Sequence, residues 1–174
     1  MEAWERRERI LELLKNSKEP ITGAELSKKY NVTRQVIVQD IALLRTRGED
    51  ILATPQGYLI PQVKMKDTLI KKIVCKHNEY DEIEDELKTI VDLGGKIIDV
   101  IVDHPLYGEI TGNLDISSRL DVDRFMDKLK ITKAEPLSTL TEGVHIHTIE
   151  VENEKIFQLI KETLKEKGYL ISED

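Results

Sequence analysis

The chain carries four histidines, the side chains that most often bind transition metals and exchange protons near neutral pH. All four follow residue 76: His77, His104, His145 and His147. The segment around His145 and His147 alternates as a strand does, which places both imidazoles on one face, about 7 Å apart. Two rings at that spacing can bind one metal ion. His77 closes another predicted strand and is expected to reach the same face of the sheet.

A lone His-x-His pattern also fits two histidines on a solvent-exposed face. The restriction of every histidine to one region, on a strand or at its end, favours a metal site instead. Three imidazoles with one carboxylate would suit Zn, Ni, Fe or Co, and residue types do not distinguish among these metals.

A carboxylate ligand is expected from the helix predicted directly after His77. Its acidic side chains are Glu79, Asp81, Glu82, Glu84, Asp85 and Glu86. Glu86 flanks the apolar stripe of this helix, one turn before Ile90, and therefore points toward the sheet. Glu86 is the first candidate ligand and Glu79 the second.

A small-molecule pocket is expected beside the metal. His104 lies in an Asp-His-Pro sequence at the end of a predicted strand, close to Tyr107. We assign both to the pocket, although a structural histidine fits the same pattern. Arg119, at the start of a predicted helix, is a further candidate because a guanidinium group can pair with a carboxylate.

The elements that must position these residues alternate between strand and helix periods after residue 67. Strands are predicted at 69–77, 96–104, 109–116, 143–151 and 169–171, and helices at 79–93, 118–129 and 154–167. This order predicts an α+β fold, with helices on one face of a mainly antiparallel sheet in a sandwich that spans residues 68–174.

The first 62 residues have the pattern of a winged helix-turn-helix domain. Thr22 and Glu25 have the spacing of a capping box that begins a short helix. Thr33 is the expected N-cap of a second helix over 34–45, and strand-like runs at 51–54 and 57–60 predict a wing. A helix over 2–16 precedes them, and 61–67 is the expected link to the second domain. In such an arrangement the second helix of the pair enters the DNA major groove.

The second helix has two distinct faces. Its apolar side contains Val36, Ile37, Ile41 and Leu44. The residues predicted to contact DNA are Thr33, Arg34, Gln35, Val38, Gln39 and Arg45. Arg and Gln suit bidentate contacts with guanine and adenine. A merely solvated face is the alternative, and the tight turn and the wing favour DNA binding.

Charge is distributed unevenly along the chain. The net charge is −7, but residues 1–62 carry +1 (10 basic, 9 acidic) and residues 63–174 carry −8 (16 basic, 24 acidic). DNA binding needs a local positive patch rather than a basic protein. A single cysteine, no membrane-length apolar run and no apolar signal-peptide core predict a cytoplasmic protein that does not enter a membrane.

Two resemblances cover essentially the whole chain. Residues 21–26, 31–36, 43–45 and 57–60 resemble the winged helix of the biotin-operon repressor type. His77 and the segments 99–109 and 135–150 resemble the 3H domain, named for its histidines. Together the two domains are similar to the niacin-responsive transcriptional repressors of NAD biosynthesis and niacin uptake. The resemblance implies metal binding by His77, Glu86, His145 and His147, and the carboxylate is one residue further from His77 than the family pattern has it.

We therefore expect a ligand-gated repressor. Nicotinate, or a close pyridine carboxylate, would bind near the metal and favour a homodimer that fits two half-sites of double-stranded operator DNA. A metal sensor without an organic ligand is one alternative. A metal-dependent enzyme fused to a DNA-binding domain is another, although no nucleophile elbow, P-loop or His-Glu-x-x-His motif occurs.

Overall fold

A computed structural model describes residues 1–62 and 67–172 of the chain. They belong to two compact units, Met1–Met65 and Lys66–Asp174, each with its own hydrophobic core. The link predicted at 61–67 falls mainly on residues 63–66, which lie outside the described residues. Within the described ranges no helix is both long and apolar enough to cross a membrane.

The first unit has three helices followed by a two-stranded hairpin. They are α1 (Ala3–Asn16), α2 (Gly23–Tyr30), α3 (Arg34–Thr46), β1 (Leu52–Thr54) and β2 (Gly57–Leu59). Thr22 and Glu25 form the predicted capping box at the start of α2, and the Thr33 side chain caps α3 by accepting a hydrogen bond from the backbone N–H of Val36. Asn31 ends α2 in the left-handed conformation, with φ at 53°. The predicted helix-turn-helix and hairpin are confirmed.

Apolar side chains from all three helices and from the residue before β1 fill the core of the first unit: Ile10, Leu11, Leu14, Leu26, Ile37, Ile41, Leu44 and Ile51. Val36, predicted to pack in this core, is only half-buried.

A buried carboxylate joins α1 to α3 in the first unit. Asp40 is 2% exposed, and it accepts hydrogen bonds from Nε and Nη2 of Arg6 at 2.6 and 3.3 Å. Arg7 Nη1 lies 3.5 Å from Oδ1 of the same carboxylate. This ion pair connects the first helix to the helix predicted to contact DNA.

The second unit alternates strands and helices as predicted. Its elements are β3 (Leu69–Lys76), α4 (Tyr80–Asp92), β4 (Lys96–His104), β5 (Gly108–Ile116), α5 (Arg119–Thr132), a 3-10 helix (Leu137–Thr141), β6 (Val144–Val151) and α6 (Glu154–Glu166). The four strands form one sheet in the order β3-β6-β4-β5, with every neighbouring pair antiparallel.

One face of this sheet carries the core. The buried side chains come from all four strands and from α4, α5 and α6: Ile73, Cys75, Ile83, Leu87, Ile90, Ile97, Leu114, Ile116, Val122, Met126, Leu129, Ile149, Val151, Phe157, Ile160 and Leu164. The three helices therefore cover a single face of an antiparallel sheet. The predicted α+β class is confirmed.

Two details of the second unit differ from the sequence-based expectation. Residues 169–171, predicted as a short strand, make only an isolated bridge between Leu170 and Cys75 at the edge of β3. The 3-10 helix has no counterpart in the prediction because five residues are too few to show a helical period. The 3-10 helix packs against Gly112 of β5. A side chain at that position would be crowded, because its Cβ would lie 3.1 Å from Cδ1 of Leu137.

Candidate metal centre and DNA-binding face

The four residues proposed as metal ligands meet beneath α4. His77 directly follows β3, Glu86 lies in the second turn of α4, and His145 and His147 belong to β6. The Glu86 carboxylate closely contacts Nε2 of His77 and lies 3.2 Å from Nε2 of His145 and 3.4 Å from Nε2 of His147. None of the four residues is more than 5% exposed. The candidate ligands thus form one buried cluster.

The alternation of β6 explains this burial. His145 and His147 point to the same side as Ile149 and Val151, which belong to the core. The two ring centroids lie 4.8 Å apart. The alternative of a solvent-exposed histidine pair is wrong, because this side of the strand is the side that the helices cover.

Two backbone carbonyls orient the rings of β6. Nδ1 of His145 donates to the carbonyl of Gly143, and Nδ1 of His147 donates to the carbonyl of Asp99, both at 2.8 Å. A carbonyl oxygen only accepts, so each Nδ1 carries a proton. Each Nε2 faces the cluster, where it can donate to Glu86 when the ring is protonated and bind a metal ion when the ring is neutral. Asp99 lies at a register shift after Ile97 in β4, and such a bulge re-aims the backbone.

The cluster stabilises an ionised carboxylate. Burial alone raises the pKa of Glu86, but the charge of His147 and the hydrogen bonds from the imidazoles hold that pKa well below its ordinary value. Burial lowers the pKa of His145, and the hydrogen bond and charge of Glu86 more than reverse this, so the net shift is upward. A metal ion that binds here would have to displace the proton of such an imidazolium.

The donor set fits a divalent transition metal. One atom each from His77, Glu86 and His145 lie within 4.8 Å of one another, and His147 adds a third imidazole. Nitrogen and carboxylate ligands of this kind bind Zn, Ni, Fe or Co. The Nδ1 atom of His77 is buried without a hydrogen-bond partner among the described residues. No backbone carbonyl therefore fixes the orientation of this ring.

Glu79, the second candidate for the carboxylate, lies outside the cluster. It is the exposed N-cap of α4, and its backbone N–H donates to the side chain of Glu82 at 3.0 Å. Geometry therefore favours Glu86, whose side chain is completely buried against the three rings.

Gly143 holds two of the candidate ligands in place. It has φ of 92°, and a Cβ there would collide with the backbone carbonyl of His77 and stand 2.5 Å from Oδ1 of Asn78. Its own carbonyl accepts hydrogen bonds from the backbone N–H of His77 at 3.4 Å and from Nδ1 of His145 at 2.8 Å. The position admits no side chain without moving a ligand.

We expect Gly143→Ala to weaken metal binding about 10–100-fold, the usual effect of disturbing groups that orient ligands. Competition between the protein and a chromogenic chelator for Zn²⁺ measures this loss. Gly168→Ala is the matched control, because Gly168 has φ of 80° but nothing within 4 Å of a Cβ. Equal Zn²⁺ affinities in the two variants would show that Gly143 does not position the ligands.

The three residues predicted to bind a small molecule are not brought to the cluster. His104 ends β4, where its Nδ1 accepts hydrogen bonds from the backbone N–H groups of Leu106 and Tyr107 at 3.1 and 3.3 Å. Tyr107 is 73% exposed in the same turn. Arg119 is already paired with Asp92 through two hydrogen bonds, at 2.7 and 2.6 Å. Their role in ligand binding stays a prediction.

A cleft opens beside His77 instead. Its lining residues are His77, Asn78, Tyr80, Ile83, Pro136, Ser138, Thr139 and Gly143. None of the three predicted pocket residues is among them. The cleft combines apolar walls with an amide and three hydroxyl groups next to a candidate metal ligand, and its volume of about 260 Å³ is slightly below the usual size of a small-molecule site.

The predicted DNA-contacting residues lie on or next to α3. All six are exposed: Thr33, Arg34, Gln35, Val38, Gln39 and Arg45. Arg45 has a second function, because its Nε donates to the backbone carbonyl of Ile51 at 2.7 Å, just before β1. Thr33 likewise caps the helix. The other four residues neither cap α3 nor bind its neighbouring backbone, and their side chains are the ones predicted to contact DNA: Arg34, Gln35, Val38 and Gln39.

Comparisons with known proteins identify a family for each part of the chain. Residues 70–173 match the 3H domain family, and residues 6–59 match an HTH domain family. The chain is 46% identical over 169 residues to a protein of Thermotoga maritima named probable transcription repressor NiaR, covering 97% of this chain and 95% of that protein. It is 41% identical over 170 residues to transcription repressor NadR of Bacillus subtilis, covering 97% and 94%.

Proposed function

This chain belongs to the niacin-responsive family of transcription repressors, which join a helix-turn-helix domain to a 3H domain, and from that membership we propose that it represses genes of NAD biosynthesis or niacin uptake. Nicotinate acts as the co-repressor, and one divalent transition metal per chain supports its binding. The observation that carries the proposal is the buried cluster of His77, Glu86, His145 and His147 beside a small cleft.

The exposed end of α3 supplies operator recognition. Arg34 and Gln35 are exposed in its first turn, where the helix of such a motif meets base edges. A guanidinium binds guanine through two hydrogen bonds, and an amide binds adenine in the same way. These two side chains therefore read sequence, while positive charge elsewhere on the unit contacts phosphate.

We expect Arg34→Ala and Gln35→Ala each to weaken operator binding by about 1–3 kcal/mol, the value of one bidentate base contact. Binding to unrelated DNA of the same length should change much less. Fluorescence anisotropy titrations of both DNAs at one salt concentration measure the difference. A loss of equal size on the two DNAs would mean that these residues contact only phosphate.

The cleft beside His77 receives the effector. His77, Glu86, His145 and His147 would hold the metal, which supplies a Lewis-acidic position for the pyridine nitrogen or the carboxylate of nicotinate. Asn78 lies next to His77 in the cleft, and its side chain presents both a donor and an acceptor. Its side chain makes no intrachain hydrogen bond within residues 1–62 and 67–172, and it is available to the polar end of a bound pyridine.

A thermal-shift screen tests the effector assignment. Full-length protein loaded with Zn²⁺ or Ni²⁺ is heated with nicotinate, nicotinamide or NAD, and again after treatment with a chelator. A ligand present at 100 times its Kd stabilises a protein by about 2.7 kcal/mol. We expect nicotinate to raise the melting temperature of the metal-loaded protein and to leave that of the chelator-treated protein unchanged. Stabilisation by nicotinamide or NAD in place of nicotinate would reassign the effector.

A metal sensor without an organic ligand is the second candidate function. The complete burial of four candidate ligands from one chain favours it, because such a cluster needs no further group to respond to a metal. The same screen separates the two functions. Stabilisation by metal with no additional effect of any pyridine would support the sensor.

A further inference from the structure

The residues that follow α6 pack against the elements that carry the candidate metal ligands. After α6 the chain turns back, and the backbone N–H of Tyr169 donates to the carbonyl of Leu164 at 2.9 Å. The chain then runs along the outer edge of β3, where the N–H of Ile171 donates to the carbonyl of Val74 at 2.9 Å. We call residues 167–171 the closing segment.

Tyr169 makes three contacts around the candidate metal centre. Its ring meets the imidazole of His77 in a T-shaped contact, with the ring centroids 5.5 Å apart and the ring planes at 77°. Its carbonyl accepts a hydrogen bond from the backbone N–H of Lys76 at 2.8 Å, and its hydroxyl donates to Oδ2 of Asp85 at 2.8 Å. Lys76 directly precedes His77, and Asp85 directly precedes Glu86. Tyr169 therefore touches one candidate ligand and binds the residue before each of two.

A second side chain of the closing segment fixes the same part of α4. The other carboxylate oxygen of Asp85, Oδ1, accepts a hydrogen bond from Nζ of Lys167 at 2.8 Å. The same Nζ donates to Oγ1 of Thr89 at 3.0 Å, one turn further along α4. Two side chains of the closing segment thus hold the turn of α4 that contains Glu86.

The ring of His77 needs support of this kind. Nδ1 of His145 and Nδ1 of His147 each donate to a backbone carbonyl, and metal-binding imidazoles are normally oriented through that second nitrogen. Nδ1 of His77 has no hydrogen-bond partner among the described residues. Within the same residues, the aromatic contacts of the His77 ring are with Tyr169 and with His145.

We propose that Tyr169 is a positioning residue of the metal centre. Its ring takes the place, for His77, of the backbone carbonyl that orients each of the other two rings, and its hydroxyl holds that ring against α4 through Asp85. The edge of an aromatic ring is partly positive and its face partly negative, so a T-shaped contact favours one angle between two rings. Metal affinity then depends on a side chain that does not itself bind the metal.

The proposal rests on the metal centre of the proposed function and requires neither nicotinate nor DNA. It also has a reciprocal consequence. If the closing segment strengthens metal binding, the metal must stabilise the closing segment by the same factor. Metal affinity and the stability of the closing segment are therefore two separate measurements of one effect.

Titration of the full chain with Co²⁺ tests the proposal, because the visible absorption of bound Co²⁺ reports the geometry of its ligands. Tyr169→Leu removes the ring and the hydroxyl. It should weaken Co²⁺ binding about 10–100-fold, the usual loss when a group that orients a ligand is removed, and change the absorption spectrum. Tyr169→Phe keeps the ring, so it should retain the wild-type spectrum and lose about 2–10-fold in affinity, the contribution of one hydrogen bond.

Two substitutions on α4 separate the contact with Tyr169 from a general effect on that helix. Asp85→Asn should weaken Co²⁺ binding at least as much as Tyr169→Phe, because it also weakens the contact with Lys167. Asp92→Asn is the matched control. It weakens an ion pair with Arg119 at the last residue of the same helix and should leave the Co²⁺ affinity and spectrum unchanged.

Hydrogen exchange measures the reciprocal effect. Zn²⁺ should slow amide exchange in peptides that cover residues 167–171 of the wild type, and it should do so much less in Tyr169→Leu. Equal exchange with and without Zn²⁺ in the wild type would contradict the proposal. Asp85→Asn and Tyr169→Phe keep the test informative if Tyr169→Leu does not fold.

Wild-type Co²⁺ affinity with an unchanged spectrum in Tyr169→Leu would overturn the proposal, even if the melting temperature falls, because Tyr169 would then have only a structural role. The metal centre itself would stand in that case. If the wild type binds no Co²⁺ at all, the metal centre of the proposed function is wrong, and the role of Tyr169 is wrong with it.

Discussion

Replacing His145 and His147 together with alanine is expected to reduce bound metal from about one ion per chain to almost none. Two of four ligands are lost, and the remaining His77 and Glu86 offer too few donors for a structural or sensing site. Inductively coupled plasma mass spectrometry of protein purified with Zn²⁺ or Ni²⁺ measures the metal content. Retention of one ion per chain would show that the buried cluster is not the metal site.

Two further variants make this result specific. His104→Ala also removes a histidine from the second unit, but the His104 side chain accepts hydrogen bonds from the turn after β4, and its loss should leave the metal content unchanged. A double change to glutamine keeps polar groups beside the buried carboxylate of Glu86, in case the alanine variant unfolds the second unit. The glutamine variant should likewise lose the metal. Binding to unrelated DNA should persist in every variant, because the first unit has a separate core.

Arg6→Ala is expected to destabilise the first unit by about 3 kcal/mol, the lower end of the range for breaking a buried ion pair. Asp40 is 2% exposed and would keep only Arg7, which is 3.5 Å away. Urea unfolding followed by the fluorescence of Trp4, the single tryptophan and a residue of α1, reports on this unit. Operator binding should fall with the folded fraction of the first unit while the metal content stays constant.

A paired substitution distinguishes the ion pair from simple packing. Arg6→Met with Asp40→Leu replaces both charges by apolar side chains of similar size, an exchange that is often neutral or stabilising. We expect this double variant to recover most of the stability that Arg6→Ala loses. If the two variants are equally unstable, the contribution of Arg6 lies in packing rather than in its charge.

Periodicity was sufficient to bring the candidate metal ligands together, because each lies on a regular element or directly after one. The two-residue period of β6 puts His145 and His147 on one side, and the 3.6-residue period of α4 puts Glu86 beside its apolar stripe. The same periods indicate which faces have to be buried. The three α-helices and the four paired strands of the second unit follow from this signal alone.

The groups that hold the cluster were beyond the reach of periodicity. Asp99 orients His147 through a backbone carbonyl at a bulge, and Gly143 orients His145 through another. Every residue has a backbone carbonyl, so residue type does not indicate which carbonyl will orient a histidine. The position of a bulge depends on how two strands pair. The φ of 92° at Gly143 is the one feature with a sequence signal, since a glycine two residues before a candidate ligand is a natural site for close backbone approach.

Pairing between distant elements explains the remaining differences. Asp40 is one turn beyond Ile37 and one turn before Leu44, on the buried side of α3. A carboxylate can be buried there because Arg6 of α1 pairs with it. Arg119 was proposed for a ligand carboxylate, but Asp92 at the end of α4 already supplies one. The sequence alone does not reveal such partners, because they lie 34 and 27 residues away.

The central claim is that nicotinate and metal act together on operator binding, and one titration tests it most directly. Operator affinity is measured with and without nicotinate, for metal-loaded and for chelated full-length protein. Linkage between an effector site and a DNA site is usually worth about 5–150-fold in affinity. We expect nicotinate to tighten operator binding within that range when metal is present and to have no effect after chelation. An operator affinity that ignores nicotinate in the metal-loaded protein, or that responds equally after chelation, would contradict the claim.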